Sequence, residues 1–187
     1  MIIDCGGIVL RAIEESDLPY LQEMINDPYI EGLTGGGAFP VSLDRQKRWF
    51  EGYDQQKELR VIIQVKDGAP IGMIMLTDID WRNRTAQLHE KILASPKDRY
   101  QGDLRDAMMG LLNYAFNSIN LNCIWGTVLE HNYLSRKFAM KCGLKEEGVL
   151  RDRVFKNGQY CNLIANSITK ADFDVSYRSY LEEKNAK

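Results

Sequence analysis

Apolar positions along the chain follow helical and strand periods, and the clearest stretch runs from Asp98 to Ile119. There Leu104, Ala107, Met108, Leu111, Leu112, Ala115 and Ile119 recur at helical spacing. This predicts an amphipathic helix with one stripe on a core and Arg105, Asp106 and Asn113 facing water. The apolar-rich segment Leu88 to Ala94 comes before it, then Ser95-Pro96 and Arg99-Tyr100-Gln101-Gly102. The local order is strand, loop, helix. A helix start carries unpaired N–H groups and partial positive charge, so it can bind a phosphate, and Gly102 lets a ligand approach that backbone. Lys97 and Arg99 add charge from the loop. A single glycine is a weak phosphate signal, and an ordinary strand-to-helix turn reads the same way.

The other elements follow from the same patterns. Ile8 to Ala12 predicts a short first strand. EESDLPYLQEMIND predicts a helix, with Ser16 and Asp17 as caps and Pro19 in the first turn. Asn26-Asp27-Pro28 ends it. Residues 31–40, EGLTGGGAFP, predict a mobile loop before a second amphipathic helix on Leu43, Trp49, Phe50 and Tyr53. Arg60 to Lys66 and Ile71 to Ile79, joined through Asp67-Gly68, predict a hairpin. His89, Glu90 and Lys91 make the strand ahead of the opening helix polar in its middle. Such groups suit either a sheet edge or a cleft, and strand alternation keeps His89 and Glu90 from pointing into the same space.

Asn122 to Leu129 predicts a further strand leading into YLSRKFAMKCG, with Asn132 as N-cap, Gly143 as the C-terminal stop and Leu134, Phe138 and Cys142 as its buried stripe. Leu144 to Phe155 and Tyr160 to Thr169 predict a hairpin about Asn157-Gly158. The end of the chain, 170–187, reads as a helical tail with a frayed, charged terminus.

Composition narrows the function classes. The 187 residues suit one domain spanning 1–187 with a full core. A net charge of −2 argues against a nucleic-acid surface, and no apolar run reaches a membrane-spanning length. Asp4 stands where a secretory signal would carry basic charge. Cys5, Cys123, Cys142 and Cys161 form no close pair, so neither a metal site nor a disulfide framework is expected, and free thiols suit the cytoplasm.

The order of elements and a set of short motifs together resemble the GNAT superfamily of acetyl-CoA-dependent N-acetyltransferases over about residues 5–170. The residues that carry this are Leu10-Arg11-Ala12, Arg99-x-x-Gly102 with Leu111 to Phe116, Asn132-x-x-Ser135, Lys141-x-Gly143, Glu147-Gly148, Arg151 and Gly158-Gln159-Tyr160. The branch most similar holds the ribosomal-protein alanine and polyamine acetyltransferases. The resemblance implies an α/β (α+β) fold with a mixed, mostly antiparallel seven-stranded sheet, splayed between its fourth and fifth strands, and helices on both faces. It implies acetyl-CoA as cosubstrate, no metal, and contacts to it at Ile92, Leu93, Arg99, Gln101, Gly102, Asp103, Leu104, Asn132 and Ser135. Tyr100 and Leu104 depart from the family's small residues in the phosphate turn.

It further implies that pantetheine lies between strands 88–94 and 122–129, and that an amine attacks the thioester directly in a ternary complex. The acceptor is a small-molecule amine or a peptide N-terminus, with a polyamine or an amino sugar among the small molecules. A homodimer is one possible assembly. Many relatives return a proton to the coenzyme thiolate from a tyrosine, but the matching residue here is Ala139. Ser135 is then the candidate donor, or else a coenzyme anchor, with Tyr133 second. For the base, Glu90 ranks ahead of Glu130, His89, His131 and water, because Leu88 and Ile92 would desolvate it. A chain that binds acyl-CoA without turnover is the alternative reading. The acceptor walls are expected from loop 28–42 and hairpin 151–162.

Overall fold

Eight strands, built from β-branched and other apolar runs between turn residues, form one sheet that carries helices on both faces. The computed structural model describes residues 2–37, 39–92 and 104–186. In chain order the strands are β1 (Ile2–Asp4), β2 (Ile8–Ala12), β3 (Leu59–Val65), β4 (Pro70–Asp80), β5 (Thr85–Ile92), β6 (Cys123–Leu129), β7 (Lys145–Lys156) and β8 (Gln159–Thr169). The helices are α1 (Leu18–Asn26), α2 (Pro28–Leu33), α3 (Leu43–Glu51), α4 (Arg105–Asn113), α5 (Tyr133–Lys141) and α6 (Lys170–Asn185). The sheet order is β1-β2-β3-β4-β5-β6-β8-β7. Every neighbouring pair is antiparallel except β5 with β6.

The sheet has one strand more than the expected seven, because Ile2–Asp4 pairs with β2 through a turn at Gly6, whose φ is +93°. Three residues are too few to show a period, so only the partner strand reveals this element. On one face α1, α2 and α3 bury Leu18, Leu21, Met24 and Ile30 against Ile62 and Met73. On the other, α4, α5 and α6 close over Ile8, Leu10, Ile63, Ile74, Leu76, Ile124 and Ile168. The seam under α4 leaves no room for a side chain at position 110, where a Cβ would collide with the Cys5 sulfur.

Five local expectations change. The helix from the opening stretch keeps α-geometry only to Asn113 and continues as a π-helical turn over Tyr114–Ser118. Arg105 and Asp106, expected in water, are 5% and 9% exposed. The reason is α6: the Tyr180 hydroxyl donates to Asp106 at 2.6 Å, Lys184 Nζ reaches Asp106 at 3.0 Å and Arg105 pairs with Glu183 at 2.6 Å. Leu134, expected in the α5 stripe with Phe138 and Cys142, is 76% exposed; Cys142 is buried and Phe138 packs on the core as expected, and Ala139 is buried beside them. Residues 31–33 of the expected loop complete α2, started by Asp27, whose carboxylate accepts from the Tyr29 amide. Asp17 does stand ahead of α1, but its carboxylate grips the Arg11 guanidinium with both oxygens, at 2.7 and 2.8 Å, instead of capping α1.

Candidate active site

The parallel ladder between β5 and β6 has three rungs, Thr85 with Cys123, Ala86 with Ile124 and Gln87 with Trp125. Beyond Gln87 the strands part. β5 stays paired to β4 as far as Ile92 opposite Gly72, and β6 stays paired to β8 as far as Leu129 opposite Leu163. Two strand edges, 88–92 and 126–129, therefore face each other with no rung between them. Their N–H and C=O groups are the backbone's obligatory hydrogen-bonding groups and want partners. Glycine sits on β6 at the gap and on β4 behind β5. A Cβ at Gly126 would stand 3.2 Å from the Leu88 carbonyl oxygen, and one at Gly72 would stand 2.5 Å from that of Lys91.

Along the open part of β5, side chains alternate between faces. Glu90 lies opposite Ile74, a core residue beneath α4, so it shares that side with Leu88 and Ile92. Burial raises its pKa to about 7. Among the described residues no hydrogen bond or ion pair reaches its carboxylate. His89 and Lys91 lie on the opposite face, across from Met75 and Met73. The His89 ring nitrogen Nε2 is 3.0 Å from Thr77 Oγ1, and burial lowers the His89 pKa. Burial lowers the Lys91 pKa as well, with the charge of Lys156 adding to it.

At the far end of β6, Asn132 opens α5 as expected. Its Oδ1 accepts from the Ser135 amide at 3.1 Å, and its Nδ2 donates to the Leu33 carbonyl at 3.0 Å. Both ends of this buried amide are thus engaged within the chain, and it ties α2 to the start of α5. Ser135 is half-buried in the first turn, and among the described residues its hydroxyl makes no hydrogen bond. Glu130, His131 and Tyr133 line a polar cavity of about 310 Å³ together with Asp152 and Tyr160. The Glu130 carboxylate accepts from Asn162 at 3.0 Å. His131 Nε2 approaches the Gly32 carbonyl at 3.3 Å. Ala139 packs into the core, on the side of α5 that a tyrosine would overfill.

A second cavity, of about 180 Å³, lies on the face of the sheet that bears α1 and α3. Leu21, Met24 and Ile25 of α1, Trp49 of α3, and Met73 and Met75 of β4 form its apolar walls, with Val41, Arg45, Gln46 and Lys91 completing the lining. Val41 is clamped there by α1: its carbonyl accepts from Gln22 at 3.0 Å and from Asn26 at 2.8 Å, and its amide donates to Asn26 Oδ1 at 2.8 Å. Trp49 is held from behind by Arg60, whose guanidinium lies 4.1 Å from the ring centroid and donates to the Trp49 carbonyl at 2.7 Å.

The structure thus brings Ile92 and Glu90 to one side of the gap and Asn132 and Ser135 to the end of β6. Leu104 stands just ahead of α4 and provides no side-chain cap to its first amides. Leu93, Arg99, Tyr100, Gln101, Gly102 and Asp103 lie outside the described residues. Sequence reasoning had Lys91 in a polar run suited to a sheet edge or a cleft, and it missed Trp49, Met73 and Met75 as walls. The expected loop 28–42 contributes Val41 alone to this cavity, and the expected hairpin 151–162 lines the polar one instead. The alternation of Met73, Met75 and Lys91 was visible in sequence, but only the pairing of β4 with β5 puts the three on one face.

Among the described residues no group of three His, Cys, Asp or Glu is placed to hold a metal ion, and no helix is long and apolar enough to cross a membrane. The acetyltransferase (GNAT) domain matches residues 8–145. The chain is 25% identical to spermidine N(1)-acetyltransferase of Vibrio cholerae over 82% of this chain and 87% of that protein. It is 31% identical to YdaF of Bacillus subtilis, provisionally named a ribosomal N-acetyltransferase, over 89% of this chain and 93% of that one. The fold is shared with a crystal structure of spermidine N-acetyltransferase from Vibrio cholerae in complex with CoA and spermine, at a TM-score of 0.81 and 24% identity over 89% of this chain and 98% of that one. The parted strands and these matches lead to one conclusion: the chain belongs to the GNAT family and is an acetyl-CoA-dependent N-acetyltransferase.

Proposed function

We propose that this protein acetylates a primary amine by direct attack on acetyl-CoA held in the gap between β5 and β6. The observation that carries this reading is the end of the ladder at Gln87 and Trp125, which leaves two strand edges to hydrogen-bond the pantetheine amides. One of those edge N–H groups would also hold the thioester oxygen as it gains charge. The start of α4, uncapped by a side chain, suits the pyrophosphate, with Arg99, Gln101, Gly102, Asp103 and Leu104 around it and Ile92 and Leu93 along the pantetheine.

In the step itself the amine nitrogen forms a bond to the acetyl carbon and the carbon–sulfur bond breaks. The ammonium must first lose a proton to the base, the nitrogen loses a second as the amide forms, and the thiolate must gain one, so that one proton is released overall. Glu90 is the proposed base: with a pKa near 7 it holds and releases a proton in the working range. Ser135, with a hydroxyl not spent within the described chain, is the proposed donor to the thiolate, and Asn132 fixes the turn that carries it. The relatives' names point to spermidine and to a ribosomal substrate as acceptors.

The test combines coenzyme binding with turnover. Coenzyme A at about 100 times its dissociation constant should stabilise the fold by about 2.7 kcal/mol, and acetyl-CoA with an accepted amine should release free thiol. Gly102→Val should remove most of that stabilisation by keeping phosphate off the backbone. A folded Gly102→Val protein that binds coenzyme A as well as wild type would place the phosphate site elsewhere.

A further inference from the structure

We propose that the cavity between α1, α3 and β5 holds an acceptor that carries an anionic group beside an apolar body, the chemistry of an apolar α-amino acid, and that it selects against polyamines. The inference rests on the acetyl-transfer reading above and concerns which amine that reaction takes.

Charge in the cavity has one sign. Lys91 and Arg45 line it, and among the described lining residues there is no Asp or Glu. Neither cation has a hydrogen bond or ion pair among the described residues, whereas the neighbouring Arg48 and Lys47 are spent on Asp44 and Glu15. Gln46, more than nine-tenths buried, adds a side-chain amide that also has no described partner. A polyamine brings two or more ammonium groups, and here they would meet two cations and no counter-charge. A carboxylate would meet two cations and an amide donor, and hydrogen bonds to charged groups are the strong ones.

Size and position agree with this. The cavity, of about 180 Å³, has room for a small amine. Methionine and tryptophan walls suit an apolar side chain, and Met adapts to irregular shapes. Lys91 stands on the part of β5 that lies past the last β5–β6 rung, so the cavity and the coenzyme gap share this residue. A carboxylate held by Lys91 would leave the adjacent amine at the border of the gap, on the face of β5 opposite Glu90, so that its proton reaches Glu90 by way of water in the gap. The desolvation of Lys91, with no partner among the described residues to offset it, is relieved when an anion pairs with it.

The experiment compares leucine, methionine and phenylalanine with their carboxamides and with spermidine. Binding is read by thermal shift without coenzyme, and turnover by thiol release from acetyl-CoA. At least one free acid should bind and be acetylated at least 10-fold better than its amide and better than spermidine. Lys91→Met should remove that preference while leaving the amide's binding unchanged, Lys91→Arg should keep most of it, and Arg45→Ala should weaken the acid several-fold. Preference for spermidine, or an unchanged acid-to-amide ratio in Lys91→Met, would overturn the proposal. Failure of coenzyme A to bind would instead overturn the acetyl-transfer reading, and the coenzyme-free shifts would still decide the cavity.

Discussion

Lys156, near the end of β7, donates to the backbone carbonyl of Glu31 at 2.9 Å and pairs with the carboxylate of the same residue. A third bond, at 3.2 Å, goes to the Gly36 carbonyl. One buried ammonium thus gathers the last turn of α2 and the glycine-rich segment after it onto the β7–β8 hairpin. Lys156→Met keeps the length of the side chain and removes all three bonds. The expected cost is about 2–3 kcal/mol, because the Glu31 charge is left without its partner while remaining partly hydrated. Urea unfolding measures it, and amide exchange should rise over residues 31–36. Glu31→Gln should cost less, since both carbonyl contacts survive.

Glu90 makes stability depend on pH in a defined direction. Its folded pKa, about 7, is above the ordinary 4.5. Below pH 4.5 it is protonated in both states and adds no penalty. As pH rises toward 7 the unfolded chain ionises first, and the fold loses up to about 3 kcal/mol, fully developed above pH 7. Glu90→Gln should therefore stabilise the protein at pH 8 relative to wild type and much less at pH 4.5. Equal differences at both pH values would show that the carboxylate is hydrated in the fold.

The same substitution tests the catalytic role separately. If Glu90 is the base, Glu90→Gln should lower the rate at neutral pH by roughly 100-fold, with less loss at high pH where free amine is abundant. A wild-type pH–rate profile would move the role to Glu130, His131 or water.

Gly72 and Lys91 meet too closely for any side chain at position 72, where a Cβ would stand 2.5 Å from the Lys91 carbonyl oxygen. Gly72→Ala must push β5 away from β4 at the edge of the gap. A stability loss of about 1–3 kcal/mol is expected, with a rise in KM for acetyl-CoA larger than that caused by an equally destabilising change at the distant Cys5.

For Ser135, a hydroxyl that acts on the leaving thiolate matters in the transition state. Ser135→Ala should then lower kcat while leaving acetyl-CoA affinity nearly unchanged. An equal loss of affinity would make it an anchor instead.

The sequence by itself determined much of this protein. Local signals located the hairpins at Asp67-Gly68 and Asn157-Gly158, the Asn132 cap and the start of the α5 unit, because turn residues and caps act within a few positions of themselves. The resemblance supplied the splayed sheet and the family. It also led to Glu90, since two apolar neighbours on the same strand are enough to argue desolvation.

What only the tertiary structure decided involves residues far apart in the chain. Arg105 and Asp106 are on the polar side of their helix, and nothing near them in sequence reveals that Tyr180, Glu183 and Lys184 cover that side. Leu134 fits an apolar stripe by spacing, yet the stripe is fixed by what α5 packs on, and the core takes Phe138, Ala139 and Cys142 while leaving Leu134 in water. Above all, the sign of the cavity came from register. Lys91 looked like one member of a polar run until its pairing with Met73 put it among Trp49, Met24 and Arg45. A strand's period assigns residues to two faces, but only its neighbours decide which face looks into a site, and therefore whether that site meets its substrate with a carboxylate or with a lysine.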